Sequence, residues 1–220
     1  MALRVLYEEE LKDLSQSLEL MCAQVEQKYG RLFECYEKKD KDGIKDIIKS
    51  DLIVNDMERK IEAKALKLIT KQQPIAKDLR LVSAALKVVT DLEREGAHIV
   101  DIAELFLRID MKDLSIYSVH LPQMIVETKS MIQASVDAFI ERDEEAARRV
   151  ILTDEIIDSY FNKVKEDIIS HIRLNTQDAD ECMDILMLAK YLEKIGDHAE
   201  NIGEWTIFME TGNMKDVRLL

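Results

Sequence analysis

The stretch Glu181-Cys182-Met183-Asp184-Ile185-Leu186-Met187-Leu188-Ala189-Lys190-Tyr191-Leu192-Glu193-Lys194-Ile195-Gly196-Asp197-His198-Ala199-Glu200-Asn201-Ile202-Gly203-Glu204 decides the fold. Its apolar residues Ile185, Leu188, Leu192, Ile195, Ala199 and Ile202 alternate spacings of three and four, which predicts a helix with one buried stripe. Beside that seam Glu193, Asp197 and Asn201 recur every fourth residue and so share one ridge of the helix. Two ionised carboxylates on one ridge repel. Such a ridge is either solvated or given a cation.

The stretch occurs twice. A shift of one hundred residues superposes Leu86, Leu92, Glu93, Gly96, His98, Ile102 and Glu104 on Leu186, Leu192, Glu193, Gly196, His198, Ile202 and Glu204, and Arg94 meets Lys194. The shared Leu-Glu-(Arg/Lys)-x-Gly-x-His string marks an internal duplication, each copy about half the chain. A second pair of segments repeats at an offset of 103: Asp51, Ile53, Val54 and Asn55 meet Asp154, Ile156, Ile157 and Asp158. In the later copy Asp154 and Asp158 are again two acids four apart. In an antiparallel bundle this ridge faces Glu193 and Asp197, which gathers four carboxylates in a small region.

Composition agrees with helices. Only 6 Gly and 2 Pro interrupt 220 residues, 47% of them hydrophobic and 34% charged, so long helices around a real core are expected. The net charge of -13 excludes a phosphate-backbone binder, because nucleic-acid affinity rests on a basic footprint. It suits cations, or basic patches on protein partners. Cys22, Cys35 and Cys182 are odd in number and lack metal spacing, which reads as reduced thiols. No apolar run reaches the ~20 residues needed to span a bilayer, and the first ten residues lack a signal-peptide core. A soluble, cytoplasmic protein is expected.

In order, the pattern predicts helices over about 5–39, 44–71, 74–109, 120–142, 143–173 and 178 onward. Pro74 ends the second and suits the first turn of the third; Pro122 opens the fourth. Asp178 followed by Glu181 reads as a capping box at the start of the sixth. The expected fold is all-α: two tandem three-helix bundles of long antiparallel helices, residues 1–112 and 113–220.

Gln72-Gln73-Pro74-Ile75-Ala76-Lys77-Asp78-Leu79-Arg80, then Asp91-Leu92-Glu93-Arg94, then Leu192 to Ile202, resemble the PhoU family of phosphate-uptake regulators across essentially the whole chain. The resemblance implies paired three-helix bundles with metal clusters on acidic Glu/Asp-x-x-x-Asp ridges. It implies a cytoplasmic negative regulator that acts on transcription indirectly and represses the phosphate-starvation response. Its implied partners are the phosphate-sensing histidine kinase and the phosphate ABC transporter ATPase. It also implies a homo-oligomer, taken as a homodimer.

Carried onto these residues, the metal ligands of the second half are Asp154, Asp158, Glu193, Asp197 and Asn201; those of the first are Asp51, Asn55, Glu93 and Asp101. The second set keeps the family pattern. In the first, Ala97 stands where the acid belongs and Glu95 replaces the Ile of position 195, which predicts a weaker site. Oxygen donors suit magnesium, calcium, manganese or iron, with zinc less expected because it recruits imidazole or thiolate. Asp78 and Arg80 are candidate partner contacts. His98 and His198 lie five residues after their glutamates, off the acid ridge, so the Glu-x-x-His pair of a di-iron carboxylate enzyme is missing. No nucleophile is paired with a base and no Gly-rich phosphate loop is present, so no enzyme is expected. The rival classes are a carboxylate-bridged, ferritin-like metalloenzyme and a metal-free helical adaptor.

Overall fold

The computed structural model describes residues 2–72, 74–214 and 217–218. Among them, α1 spans Ala2–Glu37, α2 Lys41–Lys49, α3 Asp51–Gln72, α4 Ala76–Arg108, α5 Leu121–Glu141, α6 Glu144–Leu174 and α7 Ala179–Thr211. Helices α1, α3 and α4 pack on one another, and so do α5, α6 and α7. The bundles meet where α4 lies on α7 and α1 on α5. The all-α expectation holds. After α7, Asn213–Met214 pairs antiparallel with Val217–Arg218.

The apolar periodicity explains the packing. Ile185, Leu188, Leu192, Ile195, Ala199 and Ile202 are all fully buried, as are Val25, Leu32, Ala65 and Val164 on their helices. One cluster of buried side chains runs through both bundles rather than stopping at the segment between α4 and α5. Gly196 lets α7 approach α6 closely: a Cβ there would stand 3.0 Å from Asp154 Oδ1 and 3.3 Å from Ile157 Cγ2. Gly96 does the same for α4, where a Cβ would meet Val54 Cγ1 at 3.1 Å.

Two local expectations are corrected. The helix expected over about 44–71 is two helices, α2 and α3, divided at Ser50. Asp40 caps α2, accepting from Gly43 N at 2.9 Å, and the Ser50 hydroxyl donates to Ile47 O at 2.6 Å, a local bond that competes with helix continuation. Nor does a capping box form at α7. Asp178 precedes the helix but makes no side-chain cap bond. Its carboxylate lies 3.4 Å from His171 Nε2 instead. Glu181 reaches across to the first bundle, accepting from Asp110 N at 3.0 Å and Lys112 Nζ at 3.3 Å.

Candidate metal centre

Helix α6 carries Asp154 and Asp158 one turn apart on the face turned to α7. There Asp154, Asp158 and Asp197 each present a carboxylate oxygen within 4.8 Å of the other two. Glu193, one turn before Asp197, is buried at the same contact. The structure thus brings together four of the five second-half residues expected from the sequence, three of them tightly. Asp154 is buried, and its Oδ1 makes no hydrogen bond. Burial, then the charges of Glu200, Asp197, Asp158 and Glu193, push its carboxyl up to about 7. Asp158 is also raised, by desolvation first and then by Glu193 and Asp197.

Some of this charge is already countered. Lys190 Nζ donates to Glu193 Oε1 at 2.6 Å. Lys194 contacts Asp197 and lies 3.4 Å from Glu193 Oε2. The hydrogen bond to Asp197, then that carboxylate's charge and Glu193's, hold the Lys194 ammonium above its ordinary value against desolvation. Both lysines keep to the outer side, and neither gives Asp154 Oδ1 a bond. A buried carboxylate oxygen with no partner is costly, and a hard cation supplies one. Oxygen donors from Asp154, Asp158 and Asp197, with Glu193 beside them, fit such a cation.

Asn201 does not join them. Its amide donates to Asp91 Oδ1 on α4 at 3.4 Å, where His198 Nδ1 also lies at 2.9 Å. The ridge drawn from four-residue spacing drifts around the helix, since 3.6 residues make a turn, and by position 201 it has reached the seam between bundles. His198 stacks on His98 there, ring centroids 5.6 Å apart. His98 in turn pairs with Asp101 at 3.1 Å. Both histidines are off the acid ridge, as their spacing predicts.

The first half is built differently. Asp51 and Asn55 meet, with Asn55 Nδ2 donating to Asp51 Oδ2 at 3.2 Å. The partner at Asp51 Oδ1 is the ammonium of Lys28, from α1, at 2.9 Å. Glu93 lies near enough to help hold that charge. Asp101 is elsewhere, on His98, and does not replace the acid missing at Ala97. Asp78 and Arg80 have partners within the chain: Arg80 Nε donates to Met209 O at 3.1 Å, and burial together with the Asp78 charge pushes the Tyr7 phenol up to about 12.

Sequence reasoning missed Lys190 and Lys194, although their i,i+3 spacing to Glu193 and Asp197 was legible. It also missed Lys28 and Asp91, which meet their partners only in the folded chain.

The family model described as the PhoU domain matches residues 18–106 and again 121–206. The chain is 35% identical over 215 residues to a Clostridium acetobutylicum protein named phosphate-specific transport system accessory protein PhoU homolog, covering 97% of this chain and 98% of that one. It is 31% identical over 212 residues to PhoU homolog 1 of Thermotoga maritima, covering 96% and 91%. The crystal structure of the phosphate transport system regulatory protein PhoU from Streptococcus pneumoniae superposes with a TM-score of 0.88 at 27% identity, covering 96% of this chain and all of that one. PhoU from Pseudomonas aeruginosa gives the same TM-score at 25% identity, over 94% of this chain and all of that one. The two domain matches fall on the two bundles and the relatives align from end to end: the chain belongs to the PhoU family.

Proposed function

We propose that this protein is an accessory regulator of the phosphate-specific transport system. The observation that carries this reading is the end-to-end match to relatives named as accessory or regulatory proteins of that system. In this reading it acts in the cytoplasm, as a homo-oligomer, by docking to the phosphate-sensing histidine kinase and to the ATPase of the phosphate ABC transporter. No helix among the described residues is long and apolar enough to cross a membrane, which agrees with regulation by docking. The activity is binding rather than catalysis. Affinity capture from its own cell extract, in phosphate excess and in starvation, tests the docking. Recovery of the transporter ATPase and the kinase is expected, more in excess than in starvation. Loss of both from the captured material overturns the reading.

The second-half ridge is the metal site of this reading, taking magnesium, calcium, manganese or iron in preference to zinc. Asp154, Asp158 and Asp197 would hold the ion with Glu193. A bound cation there supplies charge neutralisation and a cross-link between α6 and α7. The orphaned Asp154 Oδ1 supports it. Elemental analysis of the purified protein should show metal that Asp197→Ala loses and Glu93→Ala keeps. A second reading, the metal-free adaptor, draws on Lys190 and Lys194, which already counter Glu193 and Asp197. Metal absent from wild-type protein that still captures the ATPase would establish that reading instead.

A further inference from the structure

The two halves meet their matching buried aspartates in different ways. Asp51 in the first half corresponds to Asp154 in the second, and Gly96 to Gly196. Asp154 Oδ1 is buried against Gly196 without a hydrogen bond. Both oxygens of Asp51 are bonded, Oδ1 by Lys28 Nζ at 2.9 Å and Oδ2 by Asn55 Nδ2 at 3.2 Å. Lys28 also donates to the carbonyl of Gly96 at 3.1 Å, so its ammonium sits at the α3–α4 contact, the counterpart of the α6–α7 contact. Its side chain is only 5% exposed. Desolvation lowers its pKa, and the bond to Asp51 and the charges of Asp51 and Glu93 oppose that shift. A lysine tolerates such burial only where anions and acceptors surround it.

Helix α5 packs against its own bundle as α1 does, but it carries a single lysine, Lys129, and no arginine. Lys129 Nζ is turned away, toward Gly30 on α1. The second half therefore has no equivalent of Lys28 from this helix. The first half, conversely, lacks the carboxylates that Asp158 and Asp197 supply, since their matches are Asn55 and Ala97. The two missing acids and the one buried ammonium act in the same direction. Each removes part of the negative charge a divalent cation would otherwise balance.

We infer that Lys28 is a built-in cation for the first bundle, which holds α1, α3 and α4 together without metal and excludes metal from Asp51, Asn55 and Glu93. The inference extends the metal reading of the second half, but its main claim concerns residues of the first half alone. Metal removal then loosens only one end of the molecule. Chelator should accelerate amide hydrogen exchange in α6 and α7 near Asp154 and Asp197, and leave α3 and the Gly96 region of α4 unchanged.

The test is a thermal double-mutant cycle on chelated full-length protein, with metal content measured in parallel after dialysis against manganese. Lys28→Met is expected to melt several degrees below wild type, and Lys28→Met/Asp51→Asn to recover most of that loss, because the second change removes the charge left unpaired. Lys28→Gln serves the same cycle if the Met variant does not fold. Additive losses, with no recovery, overturn the inference. In the metal arm, Asp158→Ala/Asp197→Ala should retain no manganese. Manganese that persists there and disappears with Asp51→Asn also overturns it. If wild-type protein binds no manganese but the cycle shows the coupling, the metal reading of the second half fails and the role of Lys28 stands.

Discussion

Asp154 lies against Gly196, so close that a Cβ on the glycine would stand 3.0 Å from its Oδ1. A glycine and a carboxylate on different helices thus share one small volume. Gly196→Ala gains about 1 kcal/mol of helix propensity but meets both Asp154 and Ile157, and overpacking costs about 1–3 kcal/mol. A net loss of about 1 kcal/mol by urea unfolding is expected. The displaced carboxylate should also weaken manganese binding, read by isothermal titration. Gly96→Ala meets only Val54 and is expected to leave that affinity unchanged.

The metal-free protein should lose stability as pH rises toward neutrality through Asp154. Its carboxyl is raised from 3.8 to about 7, so the folded chain keeps a proton that the unfolded chain releases. The contribution is fully present below about pH 4. It is lost as pH climbs through about 7. Urea midpoints of chelated wild type and Asp154→Asn should therefore coincide near pH 4 and separate by pH 8, with the variant the more stable. Equal midpoints at pH 8 would show that Asp154 is not held in a costly state.

Glu95 is fully buried, and neither carboxylate oxygen has a hydrogen bond. Burial, then the Asp91 charge, pushes its pKa well up. The matching residue of the second half is Ile195, which is fully buried. Glu95→Ile is expected to stabilise the protein at neutral pH by about 1–3 kcal/mol, the cost of a buried polar group without partners. Thermal unfolding at pH 7.5 checks this, and a lower melting temperature would mean that the carboxyl has a role the apolar residue cannot fill.

His198→Ala separates the seam between bundles from the acid ridge. It removes the 2.9 Å contact with Asp91 and the stacking on His98. A loss of about 1–2 kcal/mol is expected, since among the described residues Asp91 then keeps only the long Asn201 bond and is largely buried. Metal content should not change. A metal loss equal to that of Asp197→Ala would make the histidine a ligand after all.

The sequence alone determined the all-α class, the order of the long helices and the acids of the second half. The reason is that helical faces are local. Ile185, Leu188, Leu192 and Ile195 declare a buried stripe by spacing, and Asp154 with Asp158 declare a ridge, whatever packs against them. The doubled Leu-Glu-x-x-Gly string carried the two-bundle architecture in the same way.

Only the tertiary structure decided how the charges are met. Asn201 shares a four-residue spacing with Glu193 and Asp197, yet it turns to Asp91, because two four-residue steps along a 3.6-residue helix accumulate enough rotation to change its neighbours. Ser50 divides one predicted helix through a side-chain bond that competes with the backbone pattern. Lys28 lies 23 positions before Asp51 and 68 before Gly96, and nothing periodic links the three. Whether a buried acid meets an ammonium from another helix or is left open to a metal ion depends on long-range packing, which side-chain spacing within one helix does not encode.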